Sequence, residues 1–159
     1  MHLIFDRVPN HYYKISTPEQ SFLITENPTD TNIMEFLQLF QSLNVGFLIR
    51  TTQPNYKATI FQTRNIKLIE MEFENGSLPS ESQILEFQDI VKQAQAAQKV
   101  IAVQGVSGRT RPPLLIACAL CEGGWSVENA IHKLRQSIQG QAFSPDQIEF
   151  LYQKYERRK

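Results

Sequence analysis

The segment Val103-Gln104-Gly105-Val106-Ser107-Gly108-Arg109-Thr110-Arg111-Pro112-Pro113 holds the residue types of this chain best suited to chemistry. It follows a short apolar run, Val100-Ile101-Ala102-Val103, and leads into a stretch with helical character. A glycine-bearing loop between a buried strand and a helix can turn successive N–H groups inward around an anion. The helix N-terminus adds partial positive charge. Gly105, Val106, Ser107, Gly108, Arg109 and Thr110 would form that cradle. Arg111 would add a planar, permanently charged fork for a phosphate or carboxylate. No Gly-Lys-Ser/Thr triplet follows, so this is not a nucleotide-binding loop of that type. The same pattern also suits a tight strand-to-helix turn in which Arg111 pairs with a nearby acid.

The elements that must position this loop are legible on either side of it. Tyr12-Tyr13-Lys14-Ile15 and Phe22-Leu23-Ile24-Thr25 are β-branched and aromatic and predict two short strands. Asn27-Pro28-Thr29-Asp30 has turn and N-cap chemistry, and Ile33, Phe36, Leu37, Phe40 and Leu43 recur at helical spacing, predicting a helix over 30–43. Val45 to Arg50 suits a buried strand, and Asn65 to Met71 alternates as a strand does. Ser80 with Gln83 can form a capping box for a long helix ending near Gln98. Pro112 and Pro113 fit the first turn of a helix that stops at Gly123-Gly124, Ser126 starts another, and Ser144-Pro145-Asp146-Gln147 caps a last one. Alternating strands and helices, followed by helices alone, predict an α/β layer fold with a mostly parallel sheet.

Composition narrows the classes. One domain spanning 1–159 accommodates the length, and 42% apolar with 20% charged residues is an ordinary globular balance. Sixteen basic and sixteen acidic side chains cancel, which argues against a nucleic-acid partner. No run is long and apolar enough to span a bilayer, and a cytoplasmic location is expected. Cys118 and Cys121 are too few for a disulfide scaffold; lying mid-helix among apolar residues with no second ligand pair, they read as buried structural thiols. No metal site or cofactor is expected. His132 is read on a solvated helix face and Trp125 as a core anchor.

Across nearly its whole length the chain resembles the phosphatase of regenerating liver (PRL) family, the protein tyrosine phosphatases of type IVA. Phe22-Leu23-Ile24-Thr25-Glu26-Asn27-Pro28-Thr29 matches that family's FLITxNPT segment. The stretch from Gly46 to Arg50 with Tyr56 matches its GVTTIVR…Y segment, and Phe73, Gly76 and Pro79 fit its WPFDDGxPP loop. Gly123-Gly124 and Gln141-Ala142-Phe143-Ser144 also line up. The resemblance implies a protein tyrosine phosphatase fold of the dual-specificity-like kind, with a central, mostly parallel sheet flanked by helices.

The resemblance also shows what this sequence lacks. The family's H-C-x-x-G-x-x-R loop has its nucleophilic cysteine where this chain has Gly105, and its histidine where this chain has Gln104; Gly108 and Arg111 are kept. The general-acid aspartate position is Asn75, with Glu74 one residue earlier. Glycine offers no thiolate and an amide donates no proton to a leaving alcohol. Loss of the nucleophile typically leaves about 10³–10⁴-fold acceleration, against up to ~10²¹-fold demanded by phosphate-monoester hydrolysis. Ser107 and Thr110 are the loop's remaining hydroxyls and are not expected to replace it. A pseudophosphatase is expected.

What remains of the pattern can still hold an anion. PRL proteins bind the CBS-pair domains of CNNM magnesium transporters, placing a transporter aspartate in the pocket. The expected partner is therefore such a domain, with a role in magnesium homeostasis. Exchange of a thiolate for Gly105 should remove like-charge repulsion and add room. Thr52 stands near the family's second redox cysteine. The alternative is a reader of phosphoproteins or phosphoinositides, helped by Arg109 and Arg64, with a phosphate-like anion in the pocket. An active phosphatase with relocated groups is the third reading. PRL proteins can form trimers and carry a polybasic, prenylated tail; homo-oligomerisation, and attachment to the plasma membrane if the native chain has such a tail beyond Lys159, are expectations of the same origin.

Overall fold

Five strands form one sheet in the order β1-β2-β5-β3-β4. They are β1 (Tyr12–Ser16), β2 (Ser21–Thr25), β3 (Val45–Arg50), β4 (Lys67–Glu70) and β5 (Val100–Gln104). In this computed structural model the residues described are 12–52, 56–73, 78–105, 111–138 and 142–156. β1 and β2 pair antiparallel, while β2·β5, β5·β3 and β3·β4 are parallel. The helices are α1 (Ile33–Ser42), α2 (Thr59–Gln62), α3 (Glu81–Ala97), α4 (Arg111–Glu122), α5 (Val127–Ile138) and α6 (Pro145–Leu151). A π-helical turn, Tyr152–Glu156, continues α6. The expected α/β fold with a mostly parallel, helix-flanked sheet is what the chain adopts.

The alternation of side chains along each strand divides the core into two layers. Phe22, Ile24, Phe47, Ile49, Ile101 and Val103 face α3 to α6. Leu23, Val45, Leu48 and Ala102 pack instead with Phe36, Phe40 and Phe61 from α1 and α2. All six residues of β3 are buried, as a central strand covered on both sides requires.

Local signals set most of the boundaries. Ser80–Gln83 and Ser144–Gln147 both form complete capping boxes. The first helix differs from expectation: it begins at Ile33 with Asn32 as cap residue and no side-chain cap. The reason is local competition, since Asn32 Oδ1 already accepts the Thr29 N–H at 2.7 Å. The strand expected over 65–71 is confined to Lys67–Glu70, because Asn65 turns the chain with φ 67°. α2 has only four residues, too few to carry a readable periodicity. Gly124, at φ 107°, ends the turn after α4 in a conformation that favours glycine.

Candidate functional site

A parallel sheet gathers the carboxyl ends of its strands on one side, and there the chain places its polar buried residues. Buried at or just past those ends are Thr25, Arg50, Thr51, Thr52 and Gln104. Gln104 is fully buried, and its carbonyl accepts both the Thr51 N–H (3.0 Å) and the Thr51 hydroxyl (2.7 Å). The Gly105 N–H donates to the Thr25 carbonyl at 3.2 Å. The stem of the candidate loop is thereby clamped between β2 and β3. Asn27 Nδ2 donates to the Thr52 hydroxyl at 2.9 Å, joining the β2 and β3 ends again.

Beneath this clamp runs a chain of polar contacts. The Tyr56 hydroxyl donates to Gln104 Oε1. Arg50 donates through Nη1 to the Tyr56 carbonyl at 2.9 Å and through Nε to Glu70 Oε1 at 3.0 Å. Its Nη2 donates to Glu70 Oε2, completing a bidentate pair. The guanidinium also lies 4.7 Å from the Tyr56 ring centroid. Burial pushes the Tyr56 phenol up to about 12, with Arg50 opposing that rise. Burial works against the Arg50 charge, but the hydrogen bond to Glu70 leads the contacts that raise its pKa above the usual value. Both groups are held in their ordinary neutral-pH forms: a neutral phenol and a cation.

Three buried polar atoms at the same end have no partner among the described residues: Thr25 Oγ1, Asn27 Oδ1 and Gln104 Nε2. Thr25 and Gln104 are register partners on β2 and β5. The site thus offers donor and acceptor capacity at the root of the loop.

Of the residues expected to form the site, Gln104 is the last residue of β5, Gly105 follows it directly and Arg111 is the first residue of α4. Val106, Ser107, Gly108, Arg109, Thr110, Glu74, Asn75 and the Arg111 side chain lie outside the described residues. Arg64 does not join the site. It is exposed in the turn between α2 and β4, and entry into a parallel strand is at the sheet end opposite Gly105. Nor does glycine at 105 open a void: a Cβ placed there would lie 3.0 Å from Pro112 Cδ and 3.1 Å from Thr51 Oγ1. Cys118 and Cys121 are buried thiols in α4, and burial pushes the Cys118 thiol up to about 12. Among the described residues, no cluster of His, Cys, Asp or Glu is arranged to hold a metal ion. His132 is exposed, and Trp125 packs partly buried against the larger core layer.

Sequence reasoning did not find the Arg50–Glu70 pair or the Tyr56–Gln104 contact. The signal available was modest: a charged residue ends β3 and another ends β4, and these two are register partners.

No family model matches the chain. In sequence it is similar to PRL-1 phosphatase of Drosophila melanogaster, 31% identical over 132 residues, which are 82% of this chain and 74% of that protein. It is also similar to protein tyrosine phosphatase type IVA 3 of Homo sapiens, 29% identical over 140 residues, 87% of this chain and 80% of that one. A protein tyrosine phosphatase structure from Leishmania major superposes with a TM-score of 0.78 at 26% identity, covering 92% of this chain and 98% of that one. PTPMT1, solved in complex with PI(5)P, superposes with a TM-score of 0.77 over 92% of this chain and 96% of that one; at 17% identity this likeness is one of fold. Fold and sequence agree, and the chain belongs to the phosphatase of regenerating liver, or protein tyrosine phosphatase type IVA, family.

Proposed function

We propose that this member of the family is a pseudophosphatase that binds a protein partner through its anion pocket and turns over no phosphate ester. The observation that carries this reading is the position of Gly105. It directly follows the central strand β5, six residues before Arg111 opens α4, which matches the place and spacing of the family's nucleophile relative to its arginine. A residue without a side chain supplies no thiolate there, and Gln104 beside it cannot serve as a base. Asn75 at the general-acid position supports the same reading.

Anion binding needs less than catalysis does. Loop N–H groups, the N-terminus of α4 and the Arg111 guanidinium would together accept a carboxylate without any nucleophile. The partner proposed is the CBS-pair domain of a CNNM-type magnesium transporter, presenting an aspartate to the pocket. With Gly105 in place of cysteine, such binding escapes control by thiol oxidation or cysteine phosphorylation.

Calorimetric titration of a CBS-pair domain against the wild-type protein and Arg111→Ala tests this directly. Binding by the wild type and a loss of roughly 2–5 kcal/mol in the variant are expected, since truncating one side of a buried charge pair strands the other. No binding, or equal binding by the variant, would sink the proposal. Phosphoinositide or phosphopeptide binding without CBS-domain binding would point to a phosphate reader instead. Turnover of an aryl phosphate would restore the enzyme reading.

A further inference from the structure

The surroundings of Gly105 say why glycine stands there. Its φ is not among the positive values, so the backbone itself accepts any L-residue. The constraint is space. A Cβ would meet Pro112 Cδ at 3.0 Å, Pro112 Cγ at 3.1 Å and the Thr51 hydroxyl at 3.1 Å. Ordinary carbon–carbon contacts lie at about 3.5–4.0 Å. Neither neighbour yields easily. Pro112 Cδ is bonded to the backbone nitrogen, so it moves only with the helix. Pro112 is itself buried at the second position of α4, and Leu114, Leu115, Ile116 and Ala117 behind it are fully buried in the larger core layer. The Thr51 hydroxyl is committed to the Gln104 carbonyl at 2.7 Å, and rotating it away would break that bond. On the other side, the Gly105 N–H is tied to Thr25.

We propose that Pro112 is a second block at this position, distinct from loss of the nucleophile. With Thr51 it fills the place where a side chain at 105 would begin, so cysteine cannot be restored there without strain unless residue 112 is made smaller. The inference rests on the reading that Gly105 occupies the nucleophile's place, and it deepens it. A proline ring and a hydroxyl stand where the nucleophile's side chain would begin, and restoring that side chain requires two coupled substitutions.

The test is a set of four variants, Gly105→Ala, Gly105→Cys, Pro112→Ala and Gly105→Cys/Pro112→Ala, compared by thermal unfolding. Gly105→Ala and Gly105→Cys should each lower the melting temperature by about 5 °C, the order expected for overpacking in a domain of this size. Addition of Pro112→Ala should recover most of the loss, so that the double variant is more stable than the sum of its parts. Should Gly105→Cys fail to fold, recovery of soluble, cooperatively unfolding protein in the double variant counts as the same rescue. Gly105→Ala and Gly105→Cys as stable as wild type, or a double variant no better than additive, would overturn the proposal. Aryl-phosphate turnover by the unsubstituted protein overturns the pseudophosphatase reading and leaves this steric coupling standing, so the two failures are distinguishable.

Discussion

The two faces of the sheet are built on different physics. The layer under α3 to α6 is an extended apolar core that includes two buried thiols. The layer under α1 and α2 is smaller and aromatic. Phe40 and Phe61 have ring centroids 5.2 Å apart, and Phe36 and Tyr56 stand edge-on at 6.2 Å to Phe40 and Phe61 respectively. That cluster ends in Arg50, Tyr56 and Gln104, a buried polar chain reaching the root of the loop. The first face stabilises through volume, and any apolar side chain of suitable size serves it. The second depends on named partners, because each buried polar atom left alone costs free energy. The polar chain that supports the root of the loop lies on the face where positions are specified.

The comparison predicts different responses to substitution. Phe87, buried on the first face and stacked 6.2 Å from Phe22, should cost about 3–5 kcal/mol as Phe87→Ala, while Phe87→Leu should cost far less. Urea unfolding reads both, and equal losses would break the claim that this face is governed by volume. Arg50→Ala, on the other face, should cost about 2–4 kcal/mol through lost bonds to Tyr56 and Glu70. Here Arg50→Met, which keeps much of the bulk, should recover little of it. Full recovery by methionine would mean that the second face is also a matter of volume.

A pH series sharpens the contrast further. Tyr56 has its pKa raised from 10.0 to about 12, so the neutral phenol is the form the folded state prefers. Its contribution to stability is complete below pH 10 and is lost as pH rises from 10 toward 12. Cys118, with its thiol also near 12, and Tyr155, raised as well, add to the same decline from the first face. Tyr56→Phe should therefore flatten, without abolishing, the fall in the urea midpoint over this window. At neutral pH the same variant should cost about 1–2 kcal/mol, because it leaves Gln104 Oε1 unpaired. An unchanged pH profile would remove Tyr56 from the account.

The smallest effects come from a helix cap and from the two thiols of the first face. Ser80→Ala removes the side-chain acceptor for the Gln83 N–H and should cost about 1 kcal/mol in thermal or urea unfolding. Cys118 and Cys121 should resist iodoacetamide in the native protein at pH 8 and react only on unfolding, since both are buried and the Cys118 thiol is far from ionising. Rapid native labelling would show that the first face opens locally.

The sequence by itself determined the order of the elements and where most of them begin. Ser80–Gln83 and Ser144–Gln147 act over three residues, and the apolar spacing of α1 and α3 is likewise local, so both could be read directly. It also determined that Gly105 and Arg111 flank a loop between a strand and a helix. The tertiary structure alone decided what surrounds that loop. Arg50 meets Glu70 across 20 residues of chain and Tyr56 meets Gln104 across 48, and only the strand register chooses those partners. The same register leaves Arg64 at the far end of the sheet. Pro112, read from sequence as a helix opener, becomes the ring lying over Gly105 only once α4 packs back against β5. Capping and periodicity are encoded within a turn or two of chain, whereas a steric contact or a buried bond depends on the relative placement of whole elements.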